Sequence, residues 1–212
     1  MLKPLNILAC GALANELIAL KKLNGWNEMN VTCLPAHYHQ TPDKIPQAVE
    51  VAIDKIHAKN NHDILIAYGD CGTGGRLDSV IEKAVQKTKL NISRLPGAHC
   101  YEFFAGSAQF AALHEAELGT FYLTDFLTQH FDTYVWRALG LDRKPELLEM
   151  YFGNYKKLVY LAQTPSETLK ILAEQHAQTL GLAFEYHYTE YGALGSTLNQ
   201  TMNVSVPQHR YA

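Results

Sequence analysis

Short apolar runs that stop at glycine or cysteine and give way to helical segments recur about six times along the chain. That rhythm restricts the fold more than any other feature. Its clearest instance is Asp63-Ile-Leu-Ile-Ala-Tyr-Gly-Asp-Cys-Gly-Thr-Gly-Gly75. Ile64 to Ala67 form the continuous apolar run of a strand covered on both faces. The glycines from Gly69 onward cannot continue a strand, and Arg76 opens a helix reaching to about Leu90. Repetition of this unit predicts an α/β fold: a three-layer αβα arrangement on a mostly parallel sheet of about six to seven strands. Ligands of such sheets sit at the carboxyl ends of the strands, where Cys71 falls.

The other units follow in order. Leu5 to Ala9 is a strand ended by Cys10-Gly11, and Ala12 to Leu23 a helix stopped at Asn24-Gly25. Met29 to Cys33 is a strand, and Leu34 to Pro42 a loop carrying His37 and His39. A helix with Pro46 in its first turn runs to about Ala58. Leu90 to Leu95 is a weaker strand, and a helix covers Phe103 to Leu118. Thr120 to Thr124 is the next strand, followed by helices from Phe126 to Leu139 and from Pro145 to about Asn154. Leu158 to Ala162 is a strand, Thr164-Pro-Ser-Glu167 an N-cap, and Ala183 to Tyr188 the last strand. The tail from Leu194 is polar, and disorder is expected from Asn203. The whole, 1–212, reads as a single α/β domain with a hint of two halves, 1–118 and 119–200.

Composition sets the class. Among 212 residues, 47% are hydrophobic and 18% charged, which describes a globular protein with a sizeable core. A net charge of −3 gives no basic footprint for nucleic acid or an anionic membrane. No run approaches the length of a transmembrane helix. The N-terminal apolar run is too short for a signal peptide, so a cytoplasmic location is expected. In that reducing compartment the four cysteines read as buried thiols, metal ligands or nucleophiles.

Cys10, Cys33, Cys71 and Cys100 each stand at or just past the end of a predicted strand, so a parallel sheet would gather them on one edge. Cys33, with no glycine turn after it, is the plainest core residue. Cys71, Cys100, Cys10 and the neighbouring His99 offer thiolate and imidazole ligands suited to zinc or iron, or to an iron–sulfur cluster if three thiolates meet. No CxxC or HxxxH spacing supports the set, so it rests on convergence. Asp70, Glu102 and Asp125 are candidate general bases or orienting groups. The turn amides at Gly72, Thr73, Gly74 and Gly75 suit a bound carboxylate or oxyanion, with Arg76 or Arg94 as counter-charge and His37 reaching in from its loop. The turn lacks a P-loop lysine, and Asp70 opposes a phosphate. The competing chemistry is metal-free: a cysteine-dependent racemase, isomerase or lyase acting on a small carboxylate.

Several segments together carry a family resemblance: Ala9-Cys-Gly-Ala-Leu13, Ala67-Tyr-Gly-Asp-Cys-Gly-Thr-Gly-Gly75, Pro96-Gly-Ala-His-Cys-Tyr-Glu102, Gly119-Thr-Phe-Tyr-Leu-Thr-Asp-Phe126 and Val159-Tyr-Leu-Ala-Gln163. From about residue 5 to 195 the chain resembles domain-of-unknown-function family 1638 of bacteria and archaea. The resemblance implies an association with corrinoid-dependent methyltransferase systems, hence a role in one-carbon metabolism and a corrinoid or methyltransferase partner. The expected function is a metal-binding enzyme acting on a small molecule, with the metal-free cysteine enzyme and a non-catalytic metal or corrinoid accessory protein as alternatives.

Overall fold

A computed structural model describes residues 4–202. They form two compact units, one of residues 4–100 and 193–202, the other of Tyr101–Gly192. The α/β expectation holds, with the seven strands divided between two parallel sheets of four and three rather than joined in one.

In the first unit, β1 (Leu5–Cys10), β2 (Met29–Leu34), β3 (Asp63–Ala67) and β4 (Ile92–Arg94) lie in the order β2-β1-β3-β4, all parallel. The central strands β1 and β3 are the most apolar runs, because only they have neighbours on both sides. Helices α1 (Ala14–Asn24), α2 (Ile45–His57) and α3 (Arg76–Thr88) link the strands. Alternation sends Leu8, Ile64 and Ile66 to one face, where Ile45, Val49 and Ile53 of α2 and Leu77 and Ile81 of α3 meet them. Gly25 closes α1 at φ 64°, donating its N–H to the carbonyls of Lys21 and Lys22. The expected loop after β2 is instead wound into short 3-10 turns, Ala36–Gln40 and Pro42–Lys44.

In the second unit β5 (Thr120–Leu123), β6 (Lys157–Ala162) and β7 (Ala183–Tyr188) are parallel in sequential order. The two sheets therefore share βα alternation but not strand order. The single helix expected over Phe103 to Leu118 is two, α4 (Tyr101–Ala105) and α5 (Ser107–Ala116), parted by Gly106 at φ 77°. The stretch expected as one helix from Phe126 becomes α6 (Asp125–Gln129) and a π-helical turn at Asp132–Trp136. Helix α7 (Leu147–Phe152) and helix α8 (Glu167–Leu180) complete the unit. The N-cap of α8 is Ser166, which accepts from the Leu169 amide at 3.3 Å, not Thr164. Thr164 is bonded to Asp125.

The segment from Leu194 is not a polar tail. Gly192–Thr201 forms α9, and Leu194 and Leu198 are fully buried. The disorder expected from Asn203 lies outside the described residues. Among the described residues no helix is long and apolar enough to cross a membrane.

Candidate functional site

The carboxyl edge of the first sheet is built around the turn after β3. Asp70 and Cys71 donate their amides to Gly97 O and Ala98 O at 3.0 and 2.8 Å. The turn is thereby tied to the loop that follows β4. That close approach explains Gly69: a Cβ there would meet Gly97 O at 3.0 Å, with Ala98 C and His99 N at 3.2 Å. Cys71 itself has φ 49°, a left-handed conformation that costs a non-glycine residue about 1–2 kcal/mol. The turn holds it there.

The holding group is Asp70. Its Oδ1 accepts from Thr73 Oγ1 at 2.9 Å and from the Gly75 amide at 2.8 Å, and Oδ2 accepts from the Gly74 amide at 3.0 Å. These bonds, led by that from Gly75, hold the Asp70 carboxyl below its usual range, with Thr73, Gly74 and the Arg94 charge adding to the effect and partial burial opposing it. The Gly74 and Gly75 amides expected to cradle a ligand are thus spent on Asp70, and the Thr73 hydroxyl with them. Gly72, at φ 79°, packs beside Pro42. The arginines are likewise part of the scaffold. Arg94 forks onto Asp78 at 2.5 and 3.0 Å and also donates to Leu95 O at 2.8 Å. Arg76 donates to Thr73 O at 2.8 Å. His37 is exposed in the Ala36–Gln40 turn. His39, exposed in the same turn, lies near His99, and desolvation by surrounding atoms, then that neighbour, lowers its imidazole pKa.

Cys10, Cys71 and Cys100 lie near enough to one another for their charges to interact. The β1–β3 register pairs Ala9 with Ala67, which sets Cys10 and Tyr68 level on the next position of adjacent strands. Cys10 and Cys71 both pack against the core on the α2–α3 face. Cys33 pairs with Ala9 in the β1–β2 register, one position out of phase with Cys10, so its side chain leaves from the opposite face and is exposed. Burial pushes the Cys71 thiol up to about 11, with the Gly69 backbone opposing and Cys10 and Asp70 adding to the rise. Burial likewise raises Cys10, against the Ala12 amide and the Tyr68 hydroxyl. Cys100 is raised by burial, then by Cys71 and Cys10, and also by Glu16. Ionising any one of Cys10, Cys71 and Cys100 therefore opposes ionising the others.

Two of these neighbours were not read from the sequence as site residues. Tyr68 is 2% exposed, and its hydroxyl has no hydrogen-bond partner of ordinary geometry. Burial, followed by the adjacent Cys10, drives its pKa far up, so it is a neutral hydroxyl. Glu16, 6% exposed in the first turn of α1, is the other. Its signal was present, since it interrupts the apolar stripe of Leu13, Leu17 and Leu20.

Glu102 and Asp125 belong to the second unit. Glu102 lies on α4. Asp125, 4% exposed, is saturated: Oδ1 accepts from Tyr160 Oη at 2.6 Å and the Gln163 amide at 3.0 Å, and Oδ2 from the Thr164 amide at 3.0 Å and hydroxyl at 2.6 Å. It ties the end of β5 to the end of β6. Thr124 caps α6, its hydroxyl accepting from the Leu127 amide at 3.3 Å.

The donor set on the first sheet edge, three thiols with a carboxylate and imidazoles nearby, has the chemistry of a zinc or iron site. As placed, no three His, Cys, Asp or Glu side chains among the described residues close into a group that could hold an ion.

The fold and site thus define an α/β protein with a thiol-lined sheet edge. The chain belongs to the family described as "Protein of unknown function (DUF1638)", whose model matches residues 33–198 and so includes Cys33, Cys71 and Cys100. No curated protein matches it. Among solved structures, ornithine carbamoyltransferase from Pyrococcus furiosus aligns at 12% identity and a TM-score of 0.24, covering 88% of this chain and 54% of that one. The chain spans about half the length of that enzyme.

Proposed function

We propose that the edge of the first sheet binds a soft metal ion, zinc or iron, through Cys10, Cys71 and Cys100, and uses it on a small molecule. The observation that supports this is the proximity of three thiols from three separate chain segments, Cys100 acting on Cys71 and Cys10, with the buried Tyr68 hydroxyl beside the last two. Their ionisations oppose one another, and a cation among them reverses that sign, since each thiolate then favours the next. Closure of the ligand set requires the sulfurs to rotate toward one point, with Glu16 or His99 beside them. A bound ion would supply Lewis acidity toward water or a carbonyl. The chain's own residues fix the sulfurs: Asp70 holds the Cys71 turn, and Tyr68 stands ready to donate to the Cys10 sulfur once it is a thiolate. A partner in corrinoid-dependent methyl transfer is the setting that the family resemblance suggests.

One observation favours a second reading. Cys71 is held half-buried in a left-handed turn at the end of β3, where burial raises its thiol pKa and keeps it protonated, the state of a proton donor acting on a small carboxylate without metal. Zinc titration of the wild type and of single cysteine-to-serine variants decides between the readings. The metal reading expects binding to weaken by roughly tenfold or more in Cys71→Ser, and to be unchanged in Cys33→Ser.

A further inference from the structure

A cavity of about 560 Å³ opens between the edge strand β2 and helix α2. That volume lies within the range of small-molecule pockets, about 300–1,000 Å³. Its floor is apolar, made by Leu34, Ala52 and Ile56. Val51, 47% exposed, looks into it from α2. Its charged residues are all cationic. Lys44 precedes α2, Lys55 is in its last turn and Lys59 lies just past its end, and no acidic side chain lines the space. Among the described residues none of the three lysines is ion-paired. Asp54, on the same helix, is turned to α3, where Lys87 meets it at 2.7 Å.

The cavity adjoins the thiol cluster. Leu34 is the register partner of Cys10, and Leu34 and Tyr38 line the cavity while packing against the same core as Cys10 and Cys71. The Pro42–Lys44 turn brings Pro42 beside Gly72 of the cysteine turn.

We infer that this cavity binds an amphiphilic organic anion, its apolar body over Ala52, Ile56 and Leu34 and its carboxylate or phosphate at Lys55 and Lys59 by the end of α2, with Lys44 adding positive charge at the other end of the cavity. Charge selects this occupant over a second copy of the chain. Two-fold pairing of β2 edges would set the lysines against their own symmetry mates, a like-charge contact that opposes association. An anion neutralises them, and the apolar floor rewards an aliphatic or aromatic body. The proposal needs neither a metal nor the thiols, so it stands or falls apart from the reading of the sheet edge.

The test is isothermal titration of octanoate, with octanol as the neutral control, against the full chain and a Lys44→Gln/Lys55→Gln/Lys59→Gln variant. All three lysines are exposed, so the fold should survive, which far-UV circular dichroism checks. Octanoate should bind the wild type saturably at one site and more tightly than octanol. The triple variant should bind it about tenfold more weakly or worse, the loss expected for a charge-assisted contact. Absence of saturable octanoate binding, equal affinity for octanol, or unchanged affinity in the triple variant would each overturn the inference.

Discussion

Replacing Asp70 with alanine separates a structural from a catalytic role for the residue beside Cys71. Its carboxylate accepts three hydrogen bonds, from Thr73 Oγ1 and the Gly74 and Gly75 amides, at 2.8–3.0 Å. At about 0.5–1.5 kcal/mol net for each bond, and toward the lower end because the carboxylate is partly exposed, Asp70→Ala should cost about 2 kcal/mol. That is roughly a thirtyfold change in the folded-to-unfolded ratio. Asp70→Asn keeps an oxygen for Thr73 and Gly75 and loses the bond from Gly74, so it should cost less. The carboxyl pKa is depressed in the folded chain, with the Gly75 amide as first cause. Its contribution is therefore complete above the free carboxyl range and disappears as pH falls through the depressed value. The gap between wild type and Asp70→Ala should close in acid. Urea unfolding followed by circular dichroism at neutral and acidic pH measures this, with an unchanged m-value as control. Alkylation of Cys71 should also quicken in Asp70→Ala, because the turn that holds it has lost its clamp. An alanine variant as stable as the wild type, with Cys71 no more reactive, would refute the reasoning.

Asp125→Ala should be the more damaging carboxylate substitution, at about 3–5 kcal/mol, because it strands the fully buried Tyr160 hydroxyl and two backbone amides; thermal unfolding checks it, and a loss under about 1 kcal/mol would contradict the account. Gly69→Ala places a Cβ 3.0 Å from the Gly97 carbonyl and should cost about 1–3 kcal/mol while loosening the turn from the 97–100 loop, seen as a lower melting temperature and faster alkylation of Cys71 and Cys100.

The parts of the fold that follow from local pattern were legible in the sequence. Buried strands such as β1 and β3 announce themselves by continuous apolar runs, and the glycine turn after β3 by composition. What was not legible depends on tertiary contacts. Helix α9 contains Gly195 and several polar residues and has little intrinsic drive to form; burial of Leu194 and Leu198 supports it. The division into two sheets has no local signature. At the site, the strand-end rule points Cys10, Cys71 and Cys100 to one edge, but it carries no information about which face a side chain takes. One step of register separates Cys10 from Cys33. Asp70 was expected to handle protons, yet threonine three residues on and glycines at the next two positions are the partners of an aspartate that closes its own turn. Tyr68 stayed hidden because an aromatic at a strand end is usually packing, and only the register sets it level with Cys10.

The central claim is that the thiols of the first sheet edge form a metal site. Elemental analysis of anaerobically purified protein, combined with zinc titration of the wild type, Cys71→Ser and Cys33→Ser, tests it most directly. The account predicts one zinc or iron per chain, lost with Cys71 and kept without Cys33. Metal-free wild-type protein that takes up no zinc, or uptake that is indifferent to Cys71, would contradict it.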